Sequence, residues 1–530
     1  MADLVSMLEL SFAQHAARIA LRVEDSAITY QELQERVYHL AQCFIDHQLR
    51  KVAVLGYRSV EVESTLLSCF YARMTHVPLN PIFPQARCSS MMANAKVEAL
   101  VVCPECAQYA LDLKLPDNCV IITDDATCAL IRDKRPEWQV LSIGTFAQGQ
   151  ATCPKLPPYD ENQPIYIMYT SGTTGEAKGV VIPYRTVSSY MLKILRKYHY
   201  SENDVFSQMF DITFDMSVQD LFSALLSGGT LVPIPKKVLF APTLAIEQYG
   251  ITVFHSVPSV IGLMDKLKLL TPGLLPQLRL SLFVGEPLWY EQLKLWSATC
   301  PNATIYNTYG PTETTIIVST FKAVDPKTQS LNDLPDHGCV PLGQGLVRNT
   351  YSLRDEQLKE VPEGELGEIY LGGDQLGDGY FGSPEKTAAA FVTIDGERWY
   401  RTGDLGRVEE INGQPALTFL GRCNDEVKVN GYRTSLLEVD ECLQQLSGVR
   451  AMALPVRDEF SLVHGLIGVL ETNDQQLCQR VLEEISTKLP FYMAPKAIRA
   501  CDSFPVNSNG KLDRKTLLKI ISERGELTLD

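Results

Sequence analysis

The pattern of apolar and polar positions in the first third of the chain lays out strands alternating with helices. Thr29 opens one helix, with Glu32 three residues on in the manner of a capping box. Leu33, Val37, Leu40 and Ala41 then recur at the spacing of one helix face. Leu66–Ala72 reads as a further helix, and the apolar runs Val52–Leu55, Ala99–Val102, Val120–Thr123 and Ile165–Met168 read as buried strands. This alternation predicts an α/β fold of layered sheets with parallel strands.

Length changes the picture slightly: 530 residues, at about 150 per domain, suggest three or four units. A net charge of −15 argues against nucleic acid and anionic membranes as partners, and requires any phosphate site to gather positive charge locally. Met1–Gln14 carries Asp3 and Glu9 without a basic leader, and no apolar run approaches the ~18 residues of a membrane span. The expected location is the cytoplasm. The 14 cysteines are scattered singly except for Cys103-Pro104-Glu105-Cys106. That pair alone is compatible with half a zinc site or a redox couple, while the others read as small buried hydrophobes in a reducing compartment.

The strongest candidate chemistry follows the Ile165–Met168 strand: Tyr169-Thr170-Ser171-Gly172-Thr173-Thr174-Gly175-Glu176-Ala177-Lys178-Gly179. Glycines let successive backbone N–H groups converge on an anion, the hydroxyl side chains add donors, and Lys178 adds a point charge suited to phosphate. A flexible surface loop has the same composition. No Gly-Lys-Ser/Thr closes the stretch, so it is not a Walker loop.

Further stretches follow in order. Gln208–Ser217 is largely apolar yet holds Asp211 and Asp215, and a carboxylate there needs a cation or donors, unless Asp215 caps the helix starting near Ser217. Beyond it lie Thr308-Tyr309-Gly310-Pro311-Thr312-Glu313-Thr314-Thr315, then Gly364–Leu371 with a strand, Tyr400-Arg401-Thr402-Gly403-Asp404-Leu405, Gly421–Arg433, and Val506-Asn507-Ser508-Asn509-Gly510-Lys511-Leu512-Asp513-Arg514. From about Ile28 to Arg514 this series resembles the adenylate-forming superfamily, in particular the amino-acid adenylation domains of nonribosomal peptide synthetases.

The resemblance implies a large N-terminal domain of layered sheets and helices over 1–421, a hinge at 422–424, and a smaller mobile α+β C-terminal domain over 425–530. It implies ATP and Mg²⁺. Thr170, Ser171, Gly172, Thr173, Thr174, Gly175 and Lys178 would hold phosphate. Tyr309 would stack on adenine, with Asn307 and Phe419 beside the nucleotide, Asp404 on the ribose hydroxyls and Arg422 on nucleotide or phosphate. Glu313 would hold the metal, Asp215 the substrate ammonium, and Lys511 the reacting carboxylate and α-phosphate. The hinge residue is usually Asp; here Asn424 stands at that position with Asp425 beside it, and Gly431 would border the pantetheine channel. Leu371-Gly372-Gly373-Asp374-Gln375-Leu376 imitates a carrier attachment site, but Gln375 stands where the serine is required.

Carried across in the same way, the side-chain pocket is Asp215, Met216, Gln219, Ser256, Leu282, Val284, Thr308, Ile316 and Ile317, with Lys511 at its mouth. Only Asp215 is charged, so a charged substrate side chain would be buried unpaired. The opening Asp-Met-Gln is similar to the Asp-Val-Gln of proline-activating domains, which points to L-proline, with alanine, valine or another small aliphatic amino acid behind it. The expected reaction forms aminoacyl-AMP and then loads the phosphopantetheine thiol of a separate carrier protein. A D-alanine–carrier-protein ligase, an acyl-CoA synthetase and a non-catalytic nucleotide sensor on the same fold are the alternatives.

Overall fold

The computed structural model describes residues 3–146, 151–170, 177–328, 333–347, 350–411, 413–423, 426–458, 462–505 and 513–529. The chain divides into two compact units, Met1–Pro81 with Cys88–Met168 and Gly179–Gly421, and Ile82–Arg87 with Tyr169–Lys178 and Arg422–Asp530. Length had suggested three or four. The first unit remains one body because a single apolar cluster runs from its first helix, Leu4–His15, through both of its large sheets.

The helix Tyr30–Asp46 begins at the expected cap: the Thr29 side chain accepts from the Glu32 backbone, and the Glu32 carboxylate accepts from the Thr29 N–H at 2.7 Å. Leu33, Val37, Leu40 and Ala41 are buried on its inner face. The next helix is longer than the pattern predicts, Val60–Tyr71, because Ser59 caps it and every residue except Glu61 is buried, so little helical period marks its start. Lys51–Leu55, Ala99–Val102 and Val120–Thr123 are neighbouring parallel strands of an eight-stranded sheet. Pro164–Thr170 joins the same sheet beside Thr75–Leu79.

A nine-stranded sheet matters most for function. Four of its adjacent strands, Val205–Gln208, Val253–Ser256, Leu280–Val284 and Thr304–Tyr309, run parallel. Their carboxyl ends therefore lie along one edge, where open α/β sheets take ligands. Behind this sheet Trp296 is fully buried against Phe254 and Phe283, with ring centroids at 5.1 and 5.8 Å, and its indole N–H donates to Ser281 Oγ at 3.0 Å. A third, antiparallel sheet contains Gly367–Gly372 and the long strand Glu397–Ile411.

The second unit has its own mixed sheet, with Glu426–Val429, Tyr432–Ser435, Ala451–Arg457, Val463–Glu471 and Ala497–Cys501. Helices Leu436–Ser447, Gln475–Ile485 and Arg514–Glu523 accompany it, and Leu517 and Ile521 of the last close its core. Among the described residues no helix is long and apolar enough to cross a membrane.

Ten of the fourteen cysteines are buried and all are unbridged. Burial pushes the Cys106 thiol up to about 12 and the Cys103 thiol well above its ordinary value. Burial therefore disfavours the thiolate at both positions.

Removing the Trp296 indole should open a cavity in a fully packed layer. Trp296→Ala is expected to cost about 3–5 kcal/mol, read as a lowered urea midpoint of the transition that includes this unit.

Candidate active site

The candidate residues gather at the carboxyl edge of the nine-stranded sheet because each follows one of its parallel strands. Asp215 lies seven residues beyond Gln208, at the start of the helix Met216–Leu226. Leu282 and Val284 come from one strand, and Asn307, Thr308 and Tyr309 from the next. The single-turn helix Thr312–Thr314 then presents Glu313.

Asp215 is 7% exposed, and its side chain makes no capping bond to the helix it precedes. The capping explanation for this carboxylate therefore fails. Its Oδ2 is buried and has no hydrogen-bond partner. Burial pushes its carboxyl up to about 6; the Thr312 hydroxyl works against this, the Glu313 charge adds to it, and the Met216 and Ile316 backbone N–H groups favour the ionised form. The result is a dry carboxylate with one oxygen left for a donor from outside, as an ammonium group would supply.

Glu313 is 1% exposed and accepts from the Tyr380 hydroxyl at 2.8 Å. Mg²⁺ binds through one or two carboxylates and completes its shell with water and phosphate oxygens. Glu313 is a buried carboxylate whose charge raises the Asp215 carboxyl, and a carboxylate donor of this kind fits such an ion.

The turn carrying Glu313 is strained. Thr315 and Ile316 take φ of 57° and 70° in succession, and for a β-branched residue that region is a genuine outlier. Gly310 permits it: a Cβ there would stand 2.2 Å from the Ile316 carbonyl oxygen. The turn thereby brings Ile316 and Ile317, both at most 1% exposed, into the apolar wall with Met216, Leu282 and Val284.

Tyr309 and Asp404 come together across 95 positions of sequence, the Tyr309 hydroxyl donating to Asp404 Oδ2 at 2.6 Å. Phe419 packs against the apolar cluster that contains Tyr309. Asn307 is fully buried, and its Nδ2 donates to the Val340 and Pro341 carbonyls at 2.9 Å each, which leaves its Oδ1 without a partner. Thr308 is satisfied locally, its hydroxyl donating to the Phe283 carbonyl at 2.8 Å.

Gln219 opens a buried polar chain that the sequence did not disclose. Its Oε1 accepts from the Tyr190 hydroxyl, its Nε2 lies 3.4 Å from His255 Nδ1, and that nitrogen is 2.6 Å from Asp220 Oδ1. His255 and Asp220 are both fully buried, and burial raises the Asp220 carboxyl. In the pleat His255 pairs with Leu282 and Ser256 with Phe283, so Gln219 and Leu282 share a face with His255 rather than with Ser256. A second charged residue therefore stands next to Gln219, where the sequence offered Asp215 alone.

Thr170 ends one strand and Lys178 begins the next. Ser171, Gly172, Thr173, Thr174 and Gly175 between them lie outside the described residues, as do Asn424, Asp425 and Lys511. Arg422, in the second unit, pairs with Glu426 at 2.8 Å, and Arg433 meets the same carboxylate at 3.0 Å. Against the effect of burial, these two guanidiniums hold the Glu426 carboxyl below its ordinary value.

Comparison with known proteins agrees with this geometry. A family model described as AMP-binding enzyme matches residues 8–381. The D-alanine--D-alanyl carrier protein ligase of Bacillus cereus (strain G9842) is 30% identical over 94% of this chain and 95% of its own length. Among solved structures, the Vibrio cholerae adenylation domain AlmE, in complex with glycyl-adenosine-5'-phosphate, superposes with a TM-score of 0.89 at 26% identity, covering 99% of this chain and 98% of AlmE. Holo-PA1221, an NRPS protein containing adenylation and PCP domains, shares the fold at a TM-score of 0.77 and 22% identity, covering 98% of this chain and 84% of its own.

The raised Asp215 carboxyl has a consequence for stability. The folded state keeps the proton up to about 6 whereas the ordinary value is 3.8, so this residue's penalty is absent below the lower value and complete above the higher one. Asp215→Asn should therefore stabilise the protein at pH 8 by on the order of 2–3 kcal/mol, and by less at pH 5. Thermal midpoints of both proteins at both pH values check this, and equal gains at the two would contradict it.

Proposed function

We propose, from the premise that this chain belongs to the AMP-binding enzyme family, that it activates an uncharged amino acid with a side chain of no more than three carbons and loads it on a phosphopantetheine thiol. That it is an adenylate-forming ligase using ATP with Mg²⁺ follows from the family and its relatives. The choice of substrate is the proposed step. The observation that carries it is the buried Asp215 carboxylate, one oxygen unpartnered, beside lining residues that are all uncharged and at most 4% exposed.

Each part of the amino acid has an assigned counterpart. Asp215 receives the ammonium, and Met216, Leu282, Val284, Ile316 and Ile317 enclose the side chain. The relatives activate or hold D-alanine and glycine by their names. Proline, favoured by the Asp215-Met216-Gln219 pattern, lies at the three-carbon limit of the proposed class with valine, and its secondary ammonium still offers two N–H donors to Asp215.

In the first step a substrate carboxylate oxygen attacks the α-phosphorus of ATP, and pyrophosphate leaves. Glu313 supplies the carboxylate for Mg²⁺, which neutralises phosphate charge when bound. Tyr309 faces adenine with its hydroxyl tied to Asp404, whose other oxygen serves the ribose. Lys511 is assigned to the charge that develops between carboxylate and phosphate. In the second step the carrier thiol attacks the acyl carbon, AMP leaves, and a thioester forms. The hinge at 422–424 and Gly431 serve this second step.

ATP–pyrophosphate exchange over the twenty amino acids, D-alanine and propionate tests the assignment. Glycine, either alanine or proline should lead, and phenylalanine, lysine and glutamate should give no response. A bulky or charged leader would sink the size argument, and propionate equal to alanine would remove the role of Asp215. Lys511→Ala should lower the exchange rate by about 10²–10³-fold, the scale of one lost oxyanion donor.

The acceptor follows from the same chemistry. With the activated amino acid, a carrier protein bearing phosphopantetheine should be labelled and its unmodified form should not. Faster transfer to free coenzyme A than to any carrier would move the enzyme among the acyl-CoA synthetases.

A further inference from the structure

The segment Leu371–Tyr380 contains the imitation carrier site, and the buried Gln375 within it has a different occupation. Its side-chain Nε2 donates to the carbonyls of Ile317 at 2.7 Å and Thr315 at 3.2 Å, and the Thr314 carbonyl lies at 3.5 Å. The Thr315 hydroxyl returns a hydrogen bond to the Gln375 backbone carbonyl at 2.8 Å. On the other side of the amide, Lys193 Nζ donates to Gln375 Oε1 at 3.2 Å while pairing with Asp374 at 2.5 Å. Lys193 on one side and the carbonyls on the other fix which end of the amide is oxygen and which is nitrogen.

Two further bonds tie the same segment to the same turn. The Gly377 N–H donates to the Glu313 carbonyl at 2.9 Å, and the Tyr380 hydroxyl donates to Glu313 Oε1 at 2.8 Å. The turn so held is the strained one, with Thr315 and Ile316 at positive φ. Left-handed β-branched residues persist only where their surroundings over-determine them. Here the surroundings include the Gln375 amide, whose Nε2 donates to the Thr315 and Ile317 carbonyls on either side of Ile316.

We propose that Gln375 is a positioning residue for adenylation: its amide clamps the left-handed Thr315–Ile316 turn and so sets the Glu313 carboxylate and the Ile316–Ile317 wall. The role rests on the reading of Glu313 as the metal-holding carboxylate. An amide is needed at this place. A carboxylate would face two carbonyls with negative charge, and an apolar side chain would leave buried carbonyls without donors.

Calorimetric titration of the full-length protein with ATP at graded Mg²⁺ tests the clamp without any amino acid present. Gln375→Met conserves length and approximate volume and removes every side-chain hydrogen bond. It should raise the Mg²⁺ concentration for half-maximal ATP affinity by about fivefold or more, the scale of one or two hydrogen bonds, while the thermal midpoint stays within a few degrees of wild type. Glu313→Gln, run in parallel, reports on the underlying reading and should abolish the Mg²⁺ dependence. An unchanged Gln375→Met beside a responsive Glu313→Gln overturns the clamp and leaves the role of Glu313 standing. No change in either overturns the Glu313 reading and the clamp with it. If Gln375→Met does not fold, Lys193→Met loosens the amide from its exposed side and should give a smaller shift in the same direction; no shift there also overturns the clamp.

Discussion

Two carboxylates, Asp215 and Glu313, are held almost without water and close enough for the charge of one to raise the carboxyl of the other. Burial disfavours the Asp215 anion, and the Glu313 charge beside it adds to that effect. Glu313 accepts from the Tyr380 hydroxyl, and the Thr312 hydroxyl and the Met216 and Ile316 backbone N–H groups favour the ionised form of Asp215. On the proposed roles, a metal on Glu313 would relieve Asp215 and an ammonium on Asp215 would relieve Glu313, so each ligand would favour the other through the same electrostatic term. In a chain with a net charge of −15, this also explains how an anionic nucleotide is tolerated: its charge arrives already partly neutralised.

Holding like charges together needs a scaffold that does not relax away from them. The parallel strands supply the coarse placement, since their carboxyl ends must lie along one edge of the sheet. The fine placement comes from contacts distant in sequence: Gly310 lets the chain pass against Ile316, Gln375 satisfies the carbonyls of the left-handed turn, and Tyr309 ties its strand to Asp404. Strain in the turn and repulsion between the carboxylates are thus carried by the same few hydrogen bonds.

The parallel strands were legible because a buried strand announces itself as a continuous apolar run, and Val120–Thr123 is a strand with those bounds. The capping box at Thr29 was legible because both partners lie within one turn. The start of Val60–Tyr71 was not, since a helix buried at every residue but Glu61 has little period to show. At the site, Asp215 stood out as a carboxylate in an apolar stretch, whereas Glu313 was reached only through the family resemblance. The Tyr309–Asp404 bond spans 95 positions, and the buried Asp220–His255 pair joins a helix to a strand 35 positions on, so neither leaves a local signal. Gln375 was conspicuous only for what it could not do as an attachment site; its occupation depends on the carbonyls on either side of Ile316, which no pattern of side chains records.

Chemistry and selectivity rest on different parts of this structure. The family resemblance reaches the residues that meet ATP, which any carboxylic acid substrate requires, and it would read the same for an enzyme that activates a fatty acid. On the proposed reading Asp215 would narrow the class to substrates with an ammonium, because an unpartnered buried carboxylate oxygen is costly unless something donates to it. The wall then narrows it by size, through side chains that leave almost no exposed surface among themselves. Two of those side chains, Ile316 and Ile317, stand on the turn that also carries Glu313. A substitution that relaxes the turn therefore reaches metal affinity and substrate size together, and variation in this family that needs to change one without the other has to act through Met216, Leu282 or Val284, which come from a helix and a strand instead.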